Sequence, residues 1–266
     1  MADSSHFYTL TYSQFAHPVL AEIRQETFRE DIGQNGWVTA DEYRHYLSYL
    51  ELNTASHVLD IGSGSGGPAL FLARTVGCQV TGLDINPSST TAANAWAHAL
   101  GLDALVHFQH ADASQRLPFE DHAFTTVIGI DSMNHVPARG LVLKEWSRVL
   151  RKGGRLLFTD PTIVTGILSN EEIATRSAIG YMLFTPLGEN ERLIQEAGLT
   201  LVQTRDVTNN SAVLSKRWYE ARARRRDELL QLEGEAEFEK TQRWLSIVHT
   251  QASERRLSRF AFVAQK

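Results

Sequence analysis

Three aspartates and a run of glycines carry the clearest chemistry in this chain. Asp60 stands two residues before the first glycine of Gly62-Ser63-Gly64-Ser65-Gly66-Gly67, and Asp84 and Asp112 follow downstream. Glycines let a backbone turn sharply and approach a ligand with no side chain in the way. Gly62, Gly64 and Gly67 also satisfy G-x-G-x-x-G, so a dinucleotide oxidoreductase has to be weighed, although that pattern alone is weak. Charge separates the two readings. A dinucleotide lays its pyrophosphate on such a turn, where a helix start favours anions, and Asp60 would repel it. The same carboxylate attracts an adenosyl ligand whose other end is an ammonium and a sulfonium. Asp84 is placed to accept both ribose hydroxyls, a role shared with dinucleotide folds. Asp112, in His110-Ala111-Asp112-Ala113, is placed to receive the adenine amino group.

These residues need a scaffold, and the sequence supplies one. Short apolar runs alternate with helical patterns, as in βαβ units on a parallel sheet. Strands are expected at His57–Ile61, Gln79–Leu83, Val106–His110, Thr125–Ile130 and Arg155–Thr159. Helices are expected at about 68–75, 88–100 and 139–150. Ser88 or Ser89 is expected to cap the second, and Lys152-Gly153-Gly154 to stop the third. Asp60, Asp84 and Asp112 then fall at strand ends. Residues 1–53 read as a helical cap broken at Gly33 and Gly36, and residues 54–266 as the main domain, with insertions at about 161–188 and 206–256. In the latter half a helix near 189–197, a strand near 199–205, charged helices at about 211–232 and 235–253 and a closing strand at 257–264 complete the pattern.

The set Asp60–Gly67 (DIGSGSGG), LDIN at 83–86, HADA at 110–113, LPFEDHAFTTVI at 117–128 and RVLRKGGRLLFTD at 148–160 resembles the class I S-adenosylmethionine-dependent methyltransferases. The nearest groups are those acting on phosphoethanolamine, glycine and sarcosine, sterols and sugar hydroxyls. The resemblance implies an α/β, Rossmann-like sheet of seven strands in the order 3-2-1-4-5-7-6, with the last strand antiparallel. It implies S-adenosyl-L-methionine as cofactor, held by Asp60, Gly62, Gly64, Asp84, Asp112 and the end of strand four at Asp131. Ser63, Gly66, Ile85, Asn86 and Ala113 flank these as further cofactor positions.

Methyl transfer is an in-line displacement, so holding the nucleophile in alignment removes much of the barrier. A hydroxyl acceptor also needs its proton taken. His135 sits where similar sugar O-methyltransferases carry a histidine, and Asp160 ends strand five near the corresponding acid, so the two are expected to act as base and orienting partner. Tyr8, Tyr12, Gln34, Asn35 and Trp37 are the expected lid, and Arg176, Tyr181 and Phe184 further pocket residues. Lys216, Arg217, Arg222, Arg224, Arg225 and Arg226 read first as a solvated helix face, because Glu220, Asp227 and Glu228 lie among them. An anionic acceptor is the functional alternative.

Composition bounds the rest. With 42% hydrophobic and 21% charged residues, the 266-residue chain is expected to form one α/β domain with a cap. A net charge of −5 argues against a nucleic-acid partner, as does the lack of an Asn/Asp-Pro-Pro-Tyr/Phe motif after strand four. No run is apolar enough for a membrane span, and Met1–His6 does not begin an export signal, so a cytoplasmic protein is expected. Cys78 is the only cysteine, and the histidines show no metal-ligand spacing, so no metal is expected. A small-molecule methyltransferase leads. A nucleotide-cofactor oxidoreductase and a non-catalytic module that merely binds S-adenosylmethionine are the alternatives.

Overall fold

The computed structural model of the protein describes Tyr8 and residues 11–266; Met1–His6, on which the export expectation rests, lie outside the described residues. After a helical turn at 11–13 the elements run α1 (Pro18–Phe28), α2 (Ala40–Tyr49), β1 (His57–Ile61), α3 (Gly67–Val76), β2 (Gln79–Asp84), α4 (Pro87–Ala99), β3 (Val106–His110) and β4 (Phe124–Gly129). They continue with a 3-10 turn (Met133–His135), α5 (Arg139–Val149), β5 (Leu150–Val164), α6 (Asn170–Arg176), β6 (Thr185–Pro186), α7 (Glu189–Glu196) and β7 (Thr200–Asp206). Three helices, α8 (Thr208–Arg224), α9 (Arg226–Glu233) and α10 (Glu235–Ser253), precede β8 (Leu257–Gln265).

The sheet has eight strands in the order β3-β2-β1-β4-β5-β8-β7, with β6 beside β5. β8 is antiparallel to both neighbours and the other pairings are parallel. This is the expected order with one short strand added.

Side chains leave the strands alternately to two faces, and two cores result. Val58, Val80, Ile128, Leu157 and Val263 pack with Tyr43, Tyr46, Leu70 and Leu72 on one face. Leu59, Leu83, Val127, Leu156, Phe158 and Phe262 pack with Trp146 and Ile194 on the other. The helical cap has smaller cores of its own. Phe28, Trp37, Leu214, Trp244 and Leu245 form one, and Val19, Ile23, Ala221, Leu229 and Phe238 the other.

Local chemistry moves several boundaries. Asn86, not Ser88 or Ser89, caps α4: its Oδ1 accepts from Ser88 N at 2.9 Å and Ser89 N at 3.3 Å, with Pro87 in the first turn. α5 ends at Val149 and β5 begins at Leu150. Gly153, with φ 74°, turns within the start of that strand, and its N–H donates to Lys266 O at 2.7 Å; it is not a helix stop. The segment 161–188 contains the end of β5, then α6, opened by a reciprocal Ser169–Glu172 cap. The charged stretch expected at 211–232 is two helices, because the chain breaks at Arg225.

Candidate active site

The glycine turn links β1 to α3 at the carboxyl edge of the sheet. Gly62, Gly64 and Gly66 all have positive φ (74°, 53° and 84°), a backbone that only glycine adopts cheaply. A Cβ at Gly64 would lie 2.6 Å from the Tyr12 hydroxyl, and one at Gly67 only 2.2 Å from the Ile32 carbonyl. The amino-terminal segment therefore lies directly on the turn. Ser65 Oγ donates to Gly33 O at 2.7 Å and ties the two together.

Asp84 ends β2 beside this turn. Its Oδ2 accepts from Gly64 N and its Oδ1 from Asn86 N, each at 2.8 Å, so one carboxylate shapes both the turn and the next helix start. Burial raises its pKa against those two bonds. Asp60 is 5% exposed and makes no side-chain hydrogen bond or ion pair among the described residues. Burial, then the neighbouring charge of Asp84, pushes its carboxyl up to about 7. Ser63 Oγ is buried and also lacks a partner. A buried acid and a buried hydroxyl left unsatisfied beside a glycine turn fit a ligand with an ammonium group; they do not fit a pyrophosphate. Asp112 is exposed, its Oδ1 accepting from Ser114 N at 2.8 Å. Ala113 packs at the edge of the second core, and Ile85 is 65% exposed. All these positions cluster at one edge, as expected.

Asp131 also has a structural role. It follows β4 with φ 51°, and both of its oxygens are taken. Oδ1 accepts from Arg259 Nε and Thr159 Oγ1, each at 2.7 Å, and Oδ2 from Trp37 N at 2.8 Å. Arg259 is fully buried and also donates to Glu42 Oε1 at 2.6 Å. Asp131 is thus the knot joining β4, β5, β8 and the amino-terminal segment, and it also lines the cavity described below. Arg259 was not foreseen, yet a lone arginine inside the apolar run Leu257–Ala264 is the signal that could have found it.

The expected His135–Asp160 pair does not form. Asp160 is fully buried and paired with Arg139, accepts from Asn190 Nδ2 at 2.9 Å, and accepts from Thr162 N at 3.0 Å. It holds β5 to α5 and α7. His135 instead has Nδ1 2.9 Å from Tyr181 O and Nε2 2.9 Å from Tyr8 Oη. A carbonyl only accepts, so Nδ1 carries the proton. Desolvation lowers the pKa of the ring and keeps it neutral, so Nε2 has a free lone pair that accepts from Tyr8 and, at 3.1 Å, from Asn134 Nδ2. Tyr8 orients the reactive nitrogen and Tyr181 fixes the tautomer. Asp160 does neither.

A cavity of about 120 Å³ opens beside this corner. Tyr8, Asn35, Trp37, Asp131, Asn134, His135 and Arg176 line it on the inner side, and Phe15, Trp218, Glu233, Glu237 and Trp244 on the outer. Asn35, Trp37 and Arg176, named from the sequence as lid and pocket residues, thus line this cavity. Gln34 is not on the cavity: 1% exposed, it braces its own loop through Ile32 N (2.8 Å) and Glu30 O (3.1 Å). Tyr181 contributes only its carbonyl, its side chain being 42% exposed, and Phe184 does not line the cavity. Trp244 and Trp218 were missed because they lie in helices that read as charged. Trp37 stacks on Trp244 with ring centroids 5.4 Å apart.

Four of the six basic residues at 216–226 are paired within the protein. Arg224 and Arg225 bind Glu26, Arg225 also Glu22, Arg222 binds Glu233, and Arg226 reaches Glu235. The first of these pairs tie α1 and α9 to the end of α8, and the last ties α9 to α10. No group of metal-ligating side chains occurs among the described residues, and no helix among them is long and apolar enough to cross a membrane.

Residues 59–158 match the model of a family described as a methyltransferase domain. The chain is 34% identical over 168 residues to the methyltransferase GfsG of Streptomyces halstedii, covering 61% of this chain and 59% of that one. The match thus spans about three fifths of that relative's length. In structure it resembles phosphoethanolamine N-methyltransferase 2 of Haemonchus contortus, solved with S-adenosyl-L-methionine, with a TM-score of 0.81 and 19% identity over 100% of this chain and 60% of that one. It also resembles the [4+2]-cyclase SpnF, with a TM-score of 0.76 and 20% identity over 99% and 96%. The fold is that of these solved structures, and residues 59–158 are similar to the methyltransferase-domain family.

Proposed function

We propose that the protein transfers a methyl group from S-adenosyl-L-methionine to an oxygen or nitrogen of a small-molecule acceptor, releasing S-adenosylhomocysteine. The observation that carries this reading is the unsatisfied Asp60, buried beside a glycine turn whose acids converge at one sheet edge. When bound, the cofactor supplies an electrophilic methyl group on a cationic sulfur. Asp60 would meet its ammonium end, and the backbone at Gly62 and Gly64 would let it approach closely. Asp84, Ile85 and Asp112 would hold its ribose and adenine.

Tyr8 and His135 prepare the acceptor. The neutral Nε2 of His135 draws the Tyr8 hydroxyl proton toward itself. The Tyr8 oxygen can then accept a proton from an acceptor hydroxyl in the cavity as its own proton moves to the imidazole. An amine acceptor needs only its lone pair free, and the same pair would take its surplus proton. Trp37 and the segment on which it sits exclude water from this corner.

The SpnF likeness shows why fold alone does not decide the chemistry. Calorimetric titration separates the main readings. Saturable binding of S-adenosylhomocysteine with no comparable binding of NAD supports methyl transfer. Binding of NAD without the adenosyl ligands would return the glycine turn to the oxidoreductase reading. A soluble cytoplasmic location and a small-molecule partner, with no nucleic acid, accompany the proposal. The clamped basic stretch does not argue for an anionic acceptor; a different arginine does.

A further inference from the structure

Arg176 closes α6 and is 2% exposed. Its Nε and Nη1 have no hydrogen-bond partner among the described residues. Its guanidinium lies 5.4 Å from the centroid of the Trp244 ring, and its carbonyl accepts from Trp244 Nε1 at 3.2 Å, which holds the helix end in place. Burial pushes its pKa down to about 10, so it is still a cation at neutral pH. The other arginines along the cavity are spoken for: Arg24 pairs with Asp31 at 3.0 Å, and Arg222 with Glu233. An unpaired buried charge is costly to fold, and Arg176 is the one that faces the acceptor cavity.

A second cavity, of about 10 Å³, adjoins the first and shares Trp37, Pro161 and Arg176 with it. Gln251, 1% exposed, and Ser211, 4% exposed, line it together with Arg176. Gln251 has both amide atoms without partners, and Ser211 its hydroxyl. Three side chains from α6, α8 and α10 therefore bring unused donors to one place. Trp37 belongs to both cavities, and Trp244 walls the larger one. Together they keep water from screening the charge.

We propose that the methyl acceptor carries an oxyanion group, a carboxylate or a phosphate, and that Arg176, with Gln251 and Ser211, forms the subsite that receives it. This rests on the methyl-transfer reading only in calling the ligand an acceptor. A guanidinium offers its N–H groups in pairs that match two oxygens of one anion. Held there, the acceptor lies in the cavity that Tyr8 and His135 also line, so the anion fixes which of its atoms meets the reactive corner.

The test uses the full chain saturated with S-adenosylhomocysteine. Inorganic phosphate or acetate is titrated at constant ionic strength while tryptophan emission is read, since Trp244 packs against the guanidinium. The expected result is a saturable response that Arg176→Gln weakens at least about tenfold and Gln251→Leu weakens severalfold, with Arg176→Lys in between. Tighter phosphate binding points to a phosphorylated acceptor, and tighter acetate binding to a carboxylic acid. No saturable response to either anion overturns the proposal, as does unchanged affinity in Arg176→Gln. If that variant fails to fold, Arg176→Lys and Gln251→Leu decide, and wild-type affinity in both overturns it. Binding of S-adenosylhomocysteine without an anion response rejects the subsite alone. If S-adenosylhomocysteine does not bind, the methyl-transfer reading fails, and the same titration on the unliganded chain still decides the subsite.

Discussion

Replacing Asp60 with asparagine should make the protein more stable and a poorer binder at the same time. The carboxyl titrates at about 7 in the folded chain, against an ordinary 3.8, because burial and the charge of Asp84 oppose its ionisation. Between those two values the native state holds a proton that the unfolded state has lost. Stability from this group therefore falls as pH rises from about 4 to 7 and stays low above that. At 1.36 kcal/mol per pH unit the native penalty at pH 8 is on the order of 4 kcal/mol, of which Asp60→Asn should recover at least about 1 kcal/mol. Binding has the opposite sign. A ligand ammonium needs the ionised carboxylate, so S-adenosylhomocysteine affinity should fall about tenfold per unit below pH 7, reaching about 100-fold or 2.7 kcal/mol at pH 5. Calorimetry from pH 5 to 8, with urea unfolding alongside, measures both. Affinity in the wild type that does not change with pH would refute the reasoning. So would an Asp60→Asn variant that is no more stable at pH 8 or still shows the pH dependence.

Three further substitutions probe other parts of the account. His135→Ala should cut turnover about 10²–10⁴-fold on a hydroxyl acceptor with S-adenosylhomocysteine affinity unchanged; full turnover would remove the imidazole from proton transfer. Gly64→Ala must fit a Cβ 2.6 Å from the Tyr12 hydroxyl at φ 53°, so it should cost roughly 1–2 kcal/mol in urea unfolding and weaken cofactor binding; a neutral effect on both would mean that the turn is not closely packed. Arg259→Met leaves Asp131 and Glu42 buried without their cation and should cost about 3–5 kcal/mol; a loss below about 1 kcal/mol would show that the knot holds without it.

The strands and the glycine turn were legible because they depend on local pattern. HVLDI and QVTGL are short apolar runs with an acid within or just after them, and glycine most readily takes the φ of 74° and 53° that the turn adopts at Gly62 and Gly64. The acceptor site was less so. His135 was found, but its partner was assigned by its place at the end of strand five. Asp160 turns instead to Arg139, a residue the helix pattern had treated only as a boundary. The actual partner, Tyr8, is 127 residues away in sequence, and no periodicity couples positions so far apart. The basic run was read first as a solvated face, and Arg224 and Arg226 are indeed exposed; what the sequence did not show is that Glu22 and Glu26, on another helix, pair with Arg224 and Arg225. Arg176 could be named as a pocket residue, but its lack of partners is a property of the packed structure alone.

The most direct measurement of the central claim is product formation from S-adenosylmethionine carrying an isotopically labelled methyl group. The panel would be small amines, hydroxylated metabolites and carboxylic acids, analysed by mass spectrometry together with released S-adenosylhomocysteine. The account predicts at least one acceptor that gains the labelled methyl group, with one S-adenosylhomocysteine formed per product. An acceptor transformed while S-adenosylmethionine is left intact would contradict it and make the bound cofactor a structural element of some other reaction.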